Sequence, residues 1–296
     1  MDILCVFMHC LEHAKNYSDI FHLMQDHAQI KPAFMMVGCQ RCGTTWTDAA
    51  LRNHSEIYLP VQKQSYFFDR NYDKGIEWYL ERFQNAKKGD LVGEVATGYC
   101  LLEAVPLMHK HFPDIKLMMV MRNPIDRAYS NYQARKVEQS WTSFADALEK
   151  EPDLLSRGEY IDQIECLLKY YDTDQVLFLL YDDLHADDRA YLTSILRFLG
   201  VDDTVESNLY GQRKNAAMFP KLRKVLHRCG FKPVVNMISQ SSVGDAIRRH
   251  RKRKGKSYSA MDHETMQSLQ QHFHPFNERL GQFLRRDLSH WSNAGS

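Results

Sequence analysis

Residues 33–51 read Ala33-Phe34-Met35-Met36-Val37, then Gly38-Cys39-Gln40-Arg41-Cys42-Gly43-Thr44-Thr45, then Trp46-Thr47-Asp48-Ala49-Ala50-Leu51. The order is an apolar run, a turn bracketed by glycines and the opening of a helix. A strand this apolar cannot face water and belongs inside a sheet. The glycines let consecutive backbone N–H groups converge, and the helix that follows adds its positive N-terminal end. That is the recipe for an anion cradle, and the expected ligand is phosphorylated.

The spacing Gly38-x4-Gly43 matches a triphosphatase P-loop, but Thr44 stands where that motif requires lysine. The cation lies inside the turn instead, at Arg41. In this the stretch resembles the 5′-phosphosulfate loop of sulfotransferases that use PAPS (3′-phosphoadenosine 5′-phosphosulfate), where Lys or Arg sits in the turn and Gly-Thr-Thr/Ser opens the helix. The resemblance implies a cradle built from Gln40, Arg41, Cys42, Gly43, Thr44 and Thr45, with no γ-phosphate and no metal to hold.

A second segment carries the same resemblance. Phe67-Phe68-Asp69-Arg70-x-Tyr72-Asp73-Lys74-Gly75 with Trp78-Tyr79 closely matches glycosaminoglycan sulfotransferases and their bacterial relatives. Read from the residues, it is an aromatic connector followed by a helix from about Gly75, with Ile76, Tyr79, Leu80 and Phe83 on one face. In those enzymes a glutamate before the paired phenylalanines takes the acceptor's proton. Here Gln64 holds that position, and an amide has no proton-accepting group at neutral pH. The candidates for the base are Glu94, in a segment resembling the family's Glu-x-x-x-x-Tyr, and His54, whose ordinary pKa suits the task. Each also has a purely structural reading, Glu94 as a supporting partner and His54 at a helix end.

Further on, Ile115–Met121 reads as a central strand that ends in Arg122-Asn123-Pro124-Ile125-Asp126-Arg127-Ala128-Tyr129-Ser130-Asn131-Tyr132. Proline suits the first position of a helix, so Arg122 falls at the strand's carboxyl end and Ser130 about two turns into the helix. Open α/β sheets bind nucleotides beyond such strand ends. The pattern resembles the sulfotransferase 3′-phosphate site, with Arg122 and Ser130 as its contacts. Helices are expected at 104–112, 143–150 and 160–171, a strand at 175–180, and a helix from there through Leu199-Gly200. A closing helix is expected over 262–284. In the resemblance, Arg213 and Lys214 belong to a loop folded over the cofactor.

At 296 residues and 44% hydrophobic content, the chain can bury one large α/β core. A formal net charge of +1 excludes a global field of the kind that marks nucleic-acid binders. Seven unevenly spaced cysteines do not resemble a secreted disulfide framework and read as reduced thiols in a cytoplasmic protein. Cys39-x-x-Cys42 has thioredoxin's local layout, but the glycine and threonine pattern favours phosphate binding, and a disulfide would distort the cradle. His9, Cys10 and His13 lack a further metal-spaced pair, and no metal is expected. The apolar patch at residues 3–8 is too short for a membrane span. The basic run 248–256 contains no aromatic for base stacking, so no specific nucleic acid is expected, and it reads as a solvated connector.

Together these readings give an N-terminal extension or helix over 1–30 and a sulfotransferase domain over 31–296. The fold class is α/β, a P-loop-like, mostly parallel central sheet flanked by helices. The implied activity is sulfonyl transfer from PAPS, leaving PAP, to an acceptor hydroxyl on a sugar, glycolipid or other glycosylated molecule. The site residues are Arg41, Gln64, Glu94 and His54 for chemistry and the cradle residues with Arg122, Ser130, Arg213 and Lys214 for the cofactor. The alternatives are a P-loop phosphotransferase and a weakly active PAPS-fold protein that binds polyanions.

Overall fold

A computed structural model describes residues 30–136, 138–204, 207, 209–211 and 261–292. The strands are β1 (Phe34–Gly38), β2 (Ile57–Tyr58), β3 (Leu91–Val95), β4 (Lys116–Met121) and β5 (Val176–Leu180). The α-helices are α1 (Thr44–Arg52), α2 (Phe67–Arg70), α3 (Gly75–Leu80), α4 (Ala104–His111), α5 (Pro124–Arg135), α6 (Phe144–Lys150), α7 (Asp153–Ser156), α8 (Tyr160–Leu167), α9 (Tyr181–Ala186), α10 (Asp188–Leu199) and α11 (His263–Leu284).

The strands order β2-β3-β1-β4-β5, and every pairing is parallel. β1 is central, with β3 on one side and β4 on the other, so the chain reverses direction across the sheet at β1. Ligands of open parallel sheets lie at that reversal, outside the carboxyl ends of the strands. The loop after β1 and Arg122 after β4 both emerge there. Phe34–Val37 and Leu117–Met121 are fully buried, as their unbroken apolar runs require.

Two strands escape the sequence reading. Leu91–Val95 carries a glycine and a glutamate inside the strand, neither of which favours extended structure on its own. Gly93 is needed because the Phe34 ring fills the space where a side chain would go: a Cβ there would lie 2.3 Å from the ring. Ile57–Tyr58 is too short to signal itself. The helix expected after β5 is two helices, because the Asp187 carboxylate accepts from the Ala190 amide and starts α10 afresh. The helix expected over 160–171 ends at Leu167.

Helix α5 begins as its sequence demands. Pro124 takes the first turn, and the Asn123 side chain accepts from the amides of Ile125 and Asp126. Asn123 also donates to the Trp291 carbonyl at 2.9 Å, tying the C-terminal segment to the end of β4. α11 packs on α5 and α8, closing a second apolar cluster of Ile125, Ala128, Tyr129, Phe144, Leu269 and Phe273. No helix among the described residues is long and apolar enough to cross a membrane.

The Gly93–Phe34 contact is directly testable. Gly93→Ala forces a methyl group into the Phe34 ring and should destabilise the protein by about 1–3 kcal/mol in chemical denaturation. Unchanged stability would mean that the ring has room to move.

Candidate functional site

The turn between β1 and α1 uses its two glycines for different reasons. A Cβ on Gly38 would lie 2.4 Å from the Cys100 sulfur, so Gly38 permits close approach. Gly43 has φ +87° and a Cβ there would meet the Tyr181 ring at 2.8 Å, so both conformation and space require glycine. Arg41 also adopts a left-handed φ of +72°, an uncommon state for a residue with a side chain. Bent this way, the turn leaves the amides of Gln40, Arg41, Gly43, Thr44 and Thr45 without an acceptor among the described residues. Amides left open at the start of a nine-residue helix offer an anion a row of donors and the positive end of the helix.

Two cations border these amides. Burial lowers the pKa of Arg41, and the neighbouring Arg122 lowers it further. Its described partners include no carboxylate. Arg41 Nε donates to Ser130 Oγ at 3.1 Å, which joins the β1 turn to α5 across 89 residues of sequence. Arg122 donates to the Arg41 carbonyl at 3.4 Å, pairs with Asp126 at 3.1 Å and lies over the Tyr181 ring, 5.0 Å from its centroid. Asn131 donates to the Gln40 side chain at 3.0 Å. The expected contacts Gln40, Arg41, Arg122 and Ser130 are therefore one constellation. Thr44 and Thr45 open α1 beside it. Arg213 and Lys214 lie outside the described residues, as do the basic run 248–256 and residues 1–29.

A third cation was missed in the sequence. Lys63 Nζ donates to Thr44 Oγ1 at 3.1 Å and lies 3.5 Å from Thr45 Oγ1. Burial lowers its pKa to about 8, with Asp48 opposing and Arg52 assisting. Nothing in spacing alone announces a contact to a turn about twenty residues earlier.

The candidate bases separate clearly. His54 follows α1, whose nine residues carry it about 13 Å from the turn, towards the amino ends of the strands. There Nε2 donates to the Asp202 carbonyl at 2.8 Å and Nδ1 accepts from the Glu56 amide at 3.2 Å. Both ring nitrogens are engaged there, which fits the structural reading of His54 at a helix end. Glu94 is fully buried in β3. One oxygen accepts the Ser65 amide at 2.5 Å, and the other accepts the hydroxyls of Tyr79 at 2.9 Å and Tyr99 at 3.2 Å. Burial raises its pKa while these donors pull it back. Glu94 thus fixes the backbone next to Gln64 from a fully buried position.

Gln64 itself accepts from the Thr97 hydroxyl at 2.9 Å. Beside that contact lies Asp69, which the sequence reading passed over as part of the aromatic motif. Its carboxylate packs on Gly98, where a Cβ would come within 2.6 Å. Its Oδ1 is buried and has no hydrogen-bond partner among the described residues. Burial raises its pKa, against the pull of Arg70 and Arg157.

The thiols of Cys39 and Cys42 are free and buried under the turn. Cys39 sulfur lies 3.9 Å from that of Cys100, and Cys42 sulfur lies 4.0 Å from the Tyr160 hydroxyl. Burial raises the pKa of Cys39 well above the ordinary range. No group of three or more potential metal ligands occurs among the described residues.

The sequence model of the family described as "Sulfotransferase domain" matches residues 31–283. Heparan sulfate glucosamine 3-O-sulfotransferase 3B1 of Mus musculus is 26% identical over 270 residues, covering 87% of this chain and 64% of that protein. Bifunctional heparan sulfate N-deacetylase/N-sulfotransferase 4 of Mus musculus is 28% identical over 279 residues, covering 86% of this chain and 30% of that protein. The chain therefore spans less than two-thirds of the length of these relatives. A sulfotransferase structure from Alicyclobacillus acidocaldarius superposes with a TM-score of 0.66 at 22% identity, covering 88% of this chain and 99% of that one.

The Glu94 network separates a structural carboxylate from a catalytic one. Glu94→Ala strands the Ser65 amide and two tyrosine hydroxyls and should cost about 2–4 kcal/mol in denaturant unfolding. Glu94→Gln, which keeps an acceptor for Ser65, should recover most of that loss. A fully stable Glu94→Ala protein would contradict the assignment.

Proposed function

The chain belongs to the sulfotransferase domain family, and on that premise we propose that it transfers the sulfonyl group of PAPS to a hydroxyl of a carbohydrate acceptor. The observation that carries the cofactor reading is the Arg41–Ser130 contact at 3.1 Å. It brings the open amides of Gln40, Arg41, Gly43, Thr44 and Thr45 to the same side of the sheet as Arg122 and Ser130, giving two anion sites on neighbouring strands. A nucleotide with phosphate-type groups at both the 3′ and 5′ positions fits that pair. The fit rests on open amides, on two glycines whose replacement would fill the turn, and on partly buried guanidinium groups.

In this reading, Arg41 with the amides of residues 40–45 holds the 5′ group, and Thr44 and Thr45 complete the cradle. Arg122 and Ser130 hold the 3′-phosphate, Arg122 through the planar fork that suits phosphate oxygens. PAPS supplies the activated sulfonyl group. The protein places positive charge where negative charge grows on the departing phosphate, and fixed amides do this without reorganisation. Asp69 takes the proton of the acceptor hydroxyl. Its raised pKa suits a general base, and its carboxylate packs on Gly98, the residue after the Thr97 that holds Gln64. Gln64, fixed by Thr97, orients the acceptor.

The sugar acceptor rests on the relatives, whose names specify heparan sulfate and its glucosamine. A reducing, cytoplasmic setting is part of the same proposal and rests on the free thiols of Cys39, Cys42 and Cys100.

Calorimetric titration with PAP tests the cofactor. Binding should be independent of metal and stronger than that of ADP, and Arg122→Ala should weaken it by tenfold or more. Preference for ATP with magnesium would overturn the reading in favour of a phosphotransferase.

Asp69→Asn should reduce kcat while leaving PAP affinity intact, and should abolish the acid limb of the kcat/KM profile. Because burial holds the folded-state pKa of Asp69 above its unfolded value, its contribution to stability is present below the unfolded pKa. That contribution is lost as pH rises through the folded one. The Asn variant should therefore be at least as stable as the parent at pH 7. Wild-type kcat in the Asn variant would remove Asp69 from the chemistry.

A further inference from the structure

We propose that Lys63 is a cofactor-binding residue, a lysine delivered from the β2–α2 connector to the position that a P-loop fills from within its own sequence. The P-loop spacing places its lysine directly after the second glycine, and Thr44 occupies that place here. Lys63 Nζ sits on the hydroxyl of that same Thr44, at 3.1 Å, and 3.5 Å from Thr45 Oγ1. A second cation thus joins Arg41 at the turn from a different segment. This inference rests on the PAPS reading above and specifies which end of the nucleotide Lys63 meets, the 5′ phosphosulfate.

The electrostatics point the same way. A cation at the N-terminal end of a helix opposes the helix dipole and is unfavourable unless an anion joins it. Lys63 stands over the first residues of α1. None of the ion pairs among the described residues involves it. The acid that favours its charged form, Asp48, is engaged by two nitrogens of the Arg52 guanidinium, at 3.0 and 3.1 Å. Burial depresses the pKa of the ammonium, Arg52 adds to that, and Asp48 only partly opposes it. A phosphosulfate placed on the open amides would provide the missing counter-charge. Thr44 and Thr45 have the further task of holding the lysine tip: their hydroxyl oxygens accept from it.

The roles of Arg41 and Lys63 then divide. A guanidinium stays charged and grips two oxygens in a plane, whereas an ammonium is a compact point charge that can follow one oxygen as its charge grows. Arg41 is bound to Ser130 and therefore to the 3′ side of the site. Lys63 is bound only to the 5′ side.

The test compares PAP with adenosine 3′-monophosphate, which lacks the 5′ group, by calorimetry on the full chain. For Lys63→Met, PAP affinity should fall tenfold or more while affinity for the 3′-monophosphate stays within about twofold. Lys63→Arg should retain most of the PAP affinity. The melting temperature of Lys63→Met should be unchanged or higher, because an uncompensated cation has left the helix start. PAP affinity within twofold of the parent in Lys63→Met would overturn the inference, as would equal losses for both nucleotides or a fall in melting temperature. A parent protein that binds neither nucleotide would instead defeat the PAPS reading, and this inference with it.

Discussion

Two guanidinium groups share one end of the sheet, and the rest of the site follows from that constraint. Arg41 and Arg122 are partly buried and repel each other, which lowers the pKa of Arg41. Such a pair is costly unless each group is held, and an anion between them would relieve the repulsion. Arg122 is held by Asp126, the Tyr181 ring and the Arg41 carbonyl. Arg41 is held by Ser130. The close packing of Tyr181 against the turn forbids a side chain at position 43, where the left-handed φ separately favours glycine. The parallel order β2-β3-β1-β4-β5 is what makes the two arginines neighbours: β1 and β4 are adjacent, and both turns leave the same edge.

The other wall of the site is rigid for a different reason. Glu94 receives the Ser65 amide and two tyrosine hydroxyls, and the Phe67 ring stacks on Tyr79 at 4.8 Å. Phe68 meets Tyr99 edge-on at 5.2 Å. This aromatic block keeps residues 63–69 at fixed positions over the strand ends. Lys63, Gln64 and Asp69 all lie on that short stretch. One buried carboxylate thus positions three residues proposed to act on the reactants, without meeting them itself.

The sequence disclosed much of this, and the limits have physical causes. The glycine-bracketed turn, the apolar β4 and the proline-started α5 are local patterns, so Arg41, Arg122 and Ser130 could be placed at one end of the sheet before any coordinates. β3 was hidden because a glycine and a glutamate interrupt its apolar run, and both owe their presence to neighbours distant in sequence, the Phe34 ring and the Ser65 amide. The same blindness affected the choice of base. Glu94 and His54 are candidates by their chemistry, yet only tertiary contacts reveal that three donors surround the one and that both ring nitrogens of the other are engaged. Lys63 and Asp69 were legible as residues but not as site residues, since what distinguishes them is a contact to Thr44 in one case and an unpaired buried oxygen in the other.

The most direct test of this account is a crystal structure of the protein with PAP. It should show the 5′-phosphate on the amides of residues 40–45 and the 3′-phosphate on Arg122 and Ser130, with Arg41 drawn towards the nucleotide. A nucleotide bound in the reverse sense, or away from the carboxyl ends of β1 and β4, would contradict it.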